Sequence, residues 1–342
     1  MNAPIIIPTL NRIAHLQRCI NSLLKSEMAK QTDVYISVDY PPSKKYFDGY
    51  HSVLDYVKTI KGFNKVVIYE QKENLGPGRN GLFLINEVKT KYDRYIYTED
   101  DNEFSPTFLH YMNWALSYYQ DDESVYSISS KADFFIKGND KISQIRLANF
   151  NPYGTGYWVN KTDKCLTFLL SEDLDDIIYK YKNLKKVYKV SPKLYYYLIS
   201  DIVREIPAMR GRDDKVTYID IWINIYCILN DKINIVPIVP KSRNWGDDGS
   251  GVHRSGSNSV KKEGELLLEE SDEWSPNTEV SKNCEKANRC QYYKENAIKL
   301  KHNVRAFVIL CAYKMFKPNT FRKFKVLLHR QRIDEEQTIY YG

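Results

Sequence analysis

The first 130 residues alternate short apolar runs with segments of helical periodicity, which limits the fold more than any other feature of the chain. Residues 3–8 form an apolar run typical of a buried parallel strand. An apolar stripe at helical spacing follows, made of Leu16, Cys19, Ile20, Leu23 and Leu24. The same signals predict strands at 34–38, 65–69, 94–97 and 124–128, and helices at 53–60, 80–88 and 106–119. Strands that alternate with helices predict a doubly wound α/β fold with a parallel sheet.

The composition of the chain is that of a globular protein. With 342 residues, 43% of them hydrophobic and 27% charged, it is long enough for one α/β domain with additions or for two domains that share an interface. We find no apolar run long enough for a spanning helix and no signal-peptide pattern, so we expect a cytoplasmic protein. The six cysteines include no CxxC pair, which predicts reduced thiols.

The positive charge is concentrated at the C-terminus. Residues 281–342 contain 14 Lys and Arg against 5 Asp and Glu, a local charge of +9; since the whole chain carries +7, residues 1–280 carry −2. Within residues 299–317, basic residues flank an apolar, aromatic core. This composition is typical of an interfacial helix on an anionic membrane, and equally of a helix docked on the body with its lysines in water. The sequence leaves both interpretations open.

Polar residues follow three of the predicted strands, at the edge where ligands bind in such sheets. Asn11 and Arg12 follow the first strand, Asp39 ends the second, and residues 99–101, Glu-Asp-Asp, end the fourth. Adjacent carboxylates raise each other's pKa unless a cation compensates them. Mn²⁺ or Mg²⁺ bound to a diphosphate would do so, since these ions prefer oxygen ligands. The alternative to a metal site is that residues 99–101 form a solvated acidic turn before a helix.

This order of segments resembles the nucleotide-sugar-binding half of GT-A glycosyltransferases. The likeness is to inverting enzymes of the N-acetylglucosaminyltransferase I type and to family 2 transferases that build bacterial surface polysaccharides. It covers residues 3–130 well and 150–255 loosely. The resemblance implies a GT-A fold, a Rossmann-like doubly wound mixed sheet, with a donor-binding half at 1–130 and an acceptor-binding and catalytic half of the same domain at 131–275. Residues 276–342 lie outside the resemblance, and we expect them to form a helical basic C-terminal extension.

The resemblance also implies roles for the polar residues of the first half. Asp101 would be the metal ligand, Asp100 would contact the ribose or metal-bound water, and Glu99 would contact the donor sugar. Arg12 and Asp39 would hold the nucleotide.

Residues 74–80, Asn-Leu-Gly-Pro-Gly-Arg-Asn, are similar to a segment of family 2 transferases that would bring Arg79 near the diphosphate. Gly-Pro-Gly is also an ordinary turn before a helix. Gly154 and Gly156 lie in a stretch similar to the one that passes beneath the donor sugar, where glycine permits close backbone approach.

The second half offers a general base and a lid. Asp220 lies in an apolar segment similar to the family's Asp-x-Trp segment that carries the base; it could instead cap a helix, and Asp213 and Asp214 are the fallback candidates. The Gly-rich residues 244–253 resemble a lid that excludes water. In it His253 would be a second metal ligand or a diphosphate contact, although a lone histidine in such a loop is commonly just exposed. Arg243 or Arg254 would neutralise the leaving group.

We therefore expect a metal-dependent, inverting glycosyltransferase that moves a sugar from a nucleotide diphosphate, UDP first, to a hydroxyl of a glycan or lipid-linked glycan. The expected place is the cytoplasm, at the inner face of the membrane if the tail binds lipid. The alternative is a non-catalytic GT-A-like scaffold subunit that keeps the nucleotide pocket. A nucleotidyltransferase that makes sugar nucleotides is disfavoured, because such enzymes have a glycine-rich first loop and residues 8–12 contain no glycine. A nucleic-acid-binding module would explain the basic tail but not the carboxylates.

Overall fold

A computed structural model describes residues 2–131, 144–147, 150–199, 219–246, 248–250 and 297–315, together with Cys290 and Lys294. The strands in chain order are β1 (Ile5–Thr9), β2 (Asp33–Val38), β3 (Lys65–Glu70), β4 (Arg94–Tyr97), β5 (Asn102–Phe104), β6 (Val125–Ser129), β7 (Gln144–Leu147), β8 (Thr155–Trp158), β9 (Ile233–Pro237) and β10 (Ser242–Asn244).

The α-helices are α1 (Ile13–Leu23), α2 (Phe47–Val57), α3 (Gly76–Val88), α4 (Phe108–Tyr118), α5 (Val159–Leu169), α6 (Leu174–Ile178), α7 (Tyr181–Val190), α8 (Pro192–Ile199), α9 (Ile219–Leu229) and α10 (Leu300–Met315). The Lys- and Tyr-rich residues 174–199 form three short helices, α6, α7 and α8. Pro192 begins α8 because proline fits the first turn of a helix and not its interior.

Eight strands form one mixed sheet in the order β3-β2-β1-β4-β8-β6-β9-β7. Strand β1 is parallel to both β2 and β4, β2 is parallel to β3, and β6 is parallel to β9. Strand β8 is antiparallel to both β4 and β6, and β7 is antiparallel to β9. The predicted mixed, doubly wound α/β sheet is therefore confirmed. The purely parallel sheet expected from strand and helix alternation is corrected, because β8 runs back between two strands of the first half.

The sheet has a hydrophobic core on each face. Side chains alternate along a strand, so Ile5 and Ile7 face one core while Ile6 faces the other. Helices α1, α2 and α4 cover the first face, and α3, α5 and α7 to α9 cover the second. Since both faces are covered, the polar residues gather at the ends of the strands.

Helix α10 docks on the body through α7 and α8. The Tyr195 hydroxyl donates to the Ala306 carbonyl at 3.2 Å, and the Tyr188 hydroxyl donates to Asn303 Oδ1 at 2.6 Å. The rings of Tyr179 and Tyr313 stack with their centroids 5.9 Å apart. Of the two interpretations that the sequence left open, the structure therefore shows a helix docked on the body. Across the described ranges, no helix combines the length and the apolar character needed to cross a membrane.

Candidate functional site

The acidic segment Glu99–Asp101 lies at the carboxyl end of β4, beside the carboxyl end of β1. The two strands are paired in parallel, and the Thr98 amide donates to the Ile6 carbonyl at 3.1 Å. Parallel pairing puts the residues that follow β1 next to those that follow β4. It therefore brings Arg12, at the start of α1, to the acidic segment.

Arg12 binds both aspartates of this segment. Its Nη2 contacts Asp100 Oδ1 and lies 2.9 Å from Asp101 Oδ2. The Thr9 hydroxyl donates to Asp100 Oδ2 at 2.7 Å. Although burial opposes charge on Arg12, the two carboxylates outweigh it and raise the arginine's pKa. The cation that compensates Asp100 and Asp101 in this structure is thus a residue of the chain itself.

Burial and neighbouring charges alter the ionisation of Glu99. Desolvation, followed by the negative charge of Asp101, raises the pKa of Glu99 to about 8, although Arg12 acts against this. Asp220, in the first turn of α9, also raises the pKa of Glu99. Burial and the neighbouring carboxylates therefore favour the protonated form of Glu99, and Asp220 lies close enough to this site to interact with it electrostatically.

A two-stranded ribbon fixes the acidic segment from the other side. Strand β5 follows it directly and pairs antiparallel with β10. Beyond this pairing, Asn244 Nδ2 donates to Asp101 Oδ1 at 2.7 Å, and the Trp245 amide donates to the Asp101 carbonyl at 2.9 Å. A Cβ at Gly246 would overlap with Asp101 Oδ2, so only glycine fits there.

The described part of the predicted lid is tied to helix α1. His15 Nε2 lies 2.9 Å from Asp248 Oδ2, and the guanidinium of Arg18 lies over the Trp245 ring, 4.7 Å from its centroid. Trp245 Nε1 also donates to Glu103 Oε2 at 2.8 Å. The loop therefore covers the acidic segment through contacts with both α1 and β5.

Asp39 and Arg79 form a second group around the start of α3. Asp39 Oδ1 accepts from the amides of Tyr40 and Leu75 at 2.9 and 2.8 Å, and Oδ2 accepts from the Gly76 amide at 2.8 Å. Burial raises the pKa of Asp39, while these amides and the charge of Arg79 oppose the rise. Asp39 thus anchors the α3 entrance, and its amide donates to the Thr9 carbonyl at 2.9 Å, which joins the two groups.

The two glycines of the second half lie at close backbone contacts. Gly154 has φ +72°, and a Cβ there would lie 2.5 Å from Phe104 Cε1. Gly156 pairs with Ile96 and Ile128 inside the sheet, and a Cβ added to it would lie 3.0 Å from Leu116 Cδ1 of α4. The close approach seen at both glycines is to protein, and their contact with a donor sugar stays a prediction.

Several predicted residues do not join the acidic segment or cannot be placed. Arg243 pairs with Glu103, with 3.0 Å between Nη2 and Oε2. Asp213, Asp214, His253 and Arg254 lie outside the described residues.

The oxygen donors of the acidic segment fit a divalent metal held mainly by a diphosphate. Within the described ranges, no group of three or more His, Cys, Asp or Glu side chains could hold a metal by itself. Both Asp101 oxygens have partners, Arg12 and Asn244, yet a carboxylate offers about four lone-pair positions. Mg²⁺ commonly reaches a protein through one or two carboxylates and otherwise binds phosphates and water. The site meets that requirement through Asp101 and does not form a complete protein cage.

The sequence did not single out four residues that build the site. Thr9 and Asn244 hold the two aspartates, and His15 and Trp245 hold the loop over them. Thr9 lies three residues before Arg12, and Asn244 and Trp245 belong to the predicted lid, but the sequence does not indicate their contacts because these join segments far apart in the chain.

Comparison with protein families gives a match over residues 5–165 to the family described as glycosyl transferase family 2. The matched range contains β1 to β4, the acidic segment and both glycines. No curated protein gives a significant match.

Solved structures give remote likenesses. Staphylococcus aureus TarS 1–349 is 10% identical over 69% of this chain and 57% of its own, with a TM-score of 0.39. The same protein in complex with UDP-GlcNAc is 14% identical over 51% of each chain, with a TM-score of 0.35. A Pyrobaculum calidifontis mannosyltransferase in complex with GDP-Man and Mn²⁺ is 11% identical over 95% of this chain and 84% of its own, with a TM-score of 0.37. The chain thus spans less than two thirds of the first of these proteins.

Proposed function

We propose, from the match of residues 5–165 to the glycosyl transferase family 2 model, that the protein is a metal-dependent, inverting glycosyltransferase. The proposed donor is a sugar nucleotide, with UDP as the first nucleotide to test. The proposed acceptor is a hydroxyl of a glycan or a lipid-linked glycan. The proposed setting is bacterial surface polysaccharide synthesis, in the cytoplasm at the inner face of the membrane.

The observation that carries this proposal is the contact of Arg12 with Asp100 and Asp101. It combines carboxylate oxygens and a guanidinium at the sheet edge where α/β folds bind ligands. Carboxylates suit a divalent ion and a ribose, and a guanidinium suits a phosphate. A nucleoside diphosphate with a divalent ion bound to its phosphates presents all three complementary groups.

Asp101 is the proposed ligand of Mn²⁺ or Mg²⁺. When bound, such an ion would stabilise the negative charge of the departing diphosphate. Arg12 is proposed to contact the same diphosphate, and Glu99, whose protonated form is favoured by burial, is proposed to donate a hydrogen bond to a sugar hydroxyl. Asp39 is proposed to orient the nucleotide base or ribose near the α3 entrance.

Asp220 is the proposed general base. Inverting transfer needs a group that takes the proton of the attacking acceptor hydroxyl. Asp220 is half-buried in the first turn of α9 and interacts electrostatically with Glu99, which supports its presence at the reacting centre. The loop anchored by Trp245 would exclude water from that centre and so limit hydrolysis of the donor.

The test is isothermal titration of UDP into the wild type and Asp101→Ala, with and without Mn²⁺. We expect metal-dependent binding that Asp101→Ala loses. The matched control is Asp163→Ala, which removes a half-exposed carboxylate on α5 that lies 3.9 Å from Lys89. If UDP does not bind, GDP, dTDP and CMP are titrated next. Failure of all of them would refute the donor site.

A further inference from the structure

Helix α10 has two apolar faces, and the described part of the chain covers one of them. Ala306, Leu310 and Tyr313 are buried against the body. On the opposite side, five large apolar side chains are between 56% and 79% exposed: Leu300, Val304, Phe307, Val308 and Met315. We call these five residues the outer stripe.

The outer stripe is the main exposed apolar surface in the residues that the structure describes. Nine large hydrophobic side chains are exposed there, and five of the nine belong to this helix. Their spacing of four, three, one and seven residues puts them on one helix face. Monomeric proteins rarely expose contiguous apolar surface of this kind unless it contacts a partner or a membrane.

The charges around the outer stripe have one sign. Residues 297–315 contain four Lys and Arg and no Asp or Glu, and residues 177–199, which include α7 and α8, contain six Lys and no Asp or Glu. One of the six, Lys186, pairs with Asp231 at 2.7 Å. The two basic segments meet at Tyr181, where Lys185 and Lys314 lie 5.8 and 6.0 Å from the ring centroid. The face formed by α7, α8 and α10 is therefore basic around an apolar line.

We propose that the outer stripe binds an anionic lipid bilayer, with α10 lying in the plane of the headgroups. An apolar helix face flanked by Lys and Arg matches such a surface in both polarity and charge. A second copy of the chain is disfavoured, because its own basic residues would meet these. The helix is about 24 Å long at 1.5 Å per residue, and its inner face is docked, so it would hold the whole body against the membrane.

This inference deepens the proposed function, since it names the surface and the lipid charge that would bring the enzyme to a lipid-linked acceptor. It does not depend on the identity of the sugar or on the metal.

The test is co-sedimentation of the full chain with phosphatidylcholine vesicles and with vesicles that also contain phosphatidylglycerol. We expect binding to the anionic vesicles alone, weakened by salt. Phe307→Ser/Val308→Ser should lower it about tenfold or more, because the apolar contact is lost. Lys299→Gln/Lys301→Gln should lower it by removing charge attraction. Val239→Ser, at another exposed apolar position, should leave it unchanged.

Three results would overturn the inference. The wild type could remain in the supernatant with anionic vesicles, or Phe307→Ser/Val308→Ser could bind them as the wild type does. A wild-type dimer that the same double variant converts to a monomer would assign the outer stripe to a second copy. UDP titration of each variant separates this test from the donor site, because a protein that binds vesicles and no nucleotide refutes only the proposed transfer.

Discussion

Arg12, after the first strand, and Asp101, after the fourth, form an ion pair with 2.9 Å between Nη2 and Oδ2. The same guanidinium contacts Asp100, and both aspartates are buried. The charge balance of the site therefore depends on the residue that immediately precedes helix α1.

Arg12→Met should lower the free energy of unfolding by about 3–5 kcal/mol, because it leaves buried carboxylates without their cation. Urea unfolding measures the loss. Arg12→Met/Asp100→Asn should recover part of it, since one uncompensated charge is also gone. The control Lys89→Met breaks an exposed pair and should cost less than about 1 kcal/mol. If Arg12→Met lowers the free energy of unfolding no more than Lys89→Met does, the structural role given to this arginine is contradicted.

Gly246→Ala should weaken UDP binding, because the new methyl group would overlap with Asp101 Oδ2 and displace the loop. The control for UDP affinity is Asp163→Ala, outside the site. Gly78→Ala is the control for thermal unfolding: nothing lies within 4 Å of a Cβ there, and alanine favours the helix by about 0.5–1 kcal/mol. Titration of UDP and thermal unfolding measure both effects. Wild-type UDP affinity in Gly246→Ala would show that the loop does not lie against Asp101.

Lys161→Met should destabilise the fold by about 2–3 kcal/mol, because buried carbonyls lose their donor. Lys161 is 4% exposed, and its Nζ donates to the carbonyls of Asp122 and Val125 at 2.9 Å each. The control is Lys164→Met, at an exposed lysine 3.3 Å from Glu123, where we expect a change below about 1 kcal/mol. Equal losses for the two variants would mean that Lys161 contributes no buried hydrogen bonds.

The contribution of Lys161 should also depend on pH. Burial lowers the pKa of Lys161 from 10.5 to about 8. Between these pH values the unfolded chain holds a proton that the folded protein has released, so the stability that Lys161 contributes rises with pH. The difference in unfolding free energy between the wild type and Lys161→Met should therefore widen from pH 8 to pH 10. A difference that narrows would mean that Lys161 stays charged.

Asp220→Asn should lower turnover by about 10²–10⁴-fold and leave UDP affinity nearly unchanged, as expected for a general base that does not hold the nucleotide. Transfer assays with the identified donor and acceptor, together with UDP titration, separate the two effects. Asp163→Asn, on α5, is the control and should behave as the wild type. Unchanged turnover in Asp220→Asn would exclude it as the base and make Asp213 and Asp214 the next variants.

The fold was predictable where a strand has its own apolar run. Strand β4 has the predicted bounds, 94–97, and β2 and β3 each differ from theirs by one residue at one end. Strand β8 has four residues and β5 and β10 have three each, and they are strands because of partners far along the chain. Local periodicity carries no information on such pairing.

The sequence predicted the location of the site better than the side-chain contacts within it. The rule that ligands bind beyond strand ends put Arg12 and residues 99–101 at one edge, and the structure brings them together. The sequence indicated a metal as the compensating cation; the structure shows that Arg12 compensates both aspartates. Such a contact depends on the reach and direction of long side chains, which spacing does not determine.

The place of β8 between β4 and β6 also bears on how the protein is made. A chain emerging from the ribosome exposes the open edges of β4 and β6 until residues 155–158 have been synthesised, and β5 lacks its partner until residue 244 has followed. Unpaired strand edges promote aggregation. The first half is therefore not a separable folding unit during translation, and a fragment that ends near residue 130 should be insoluble.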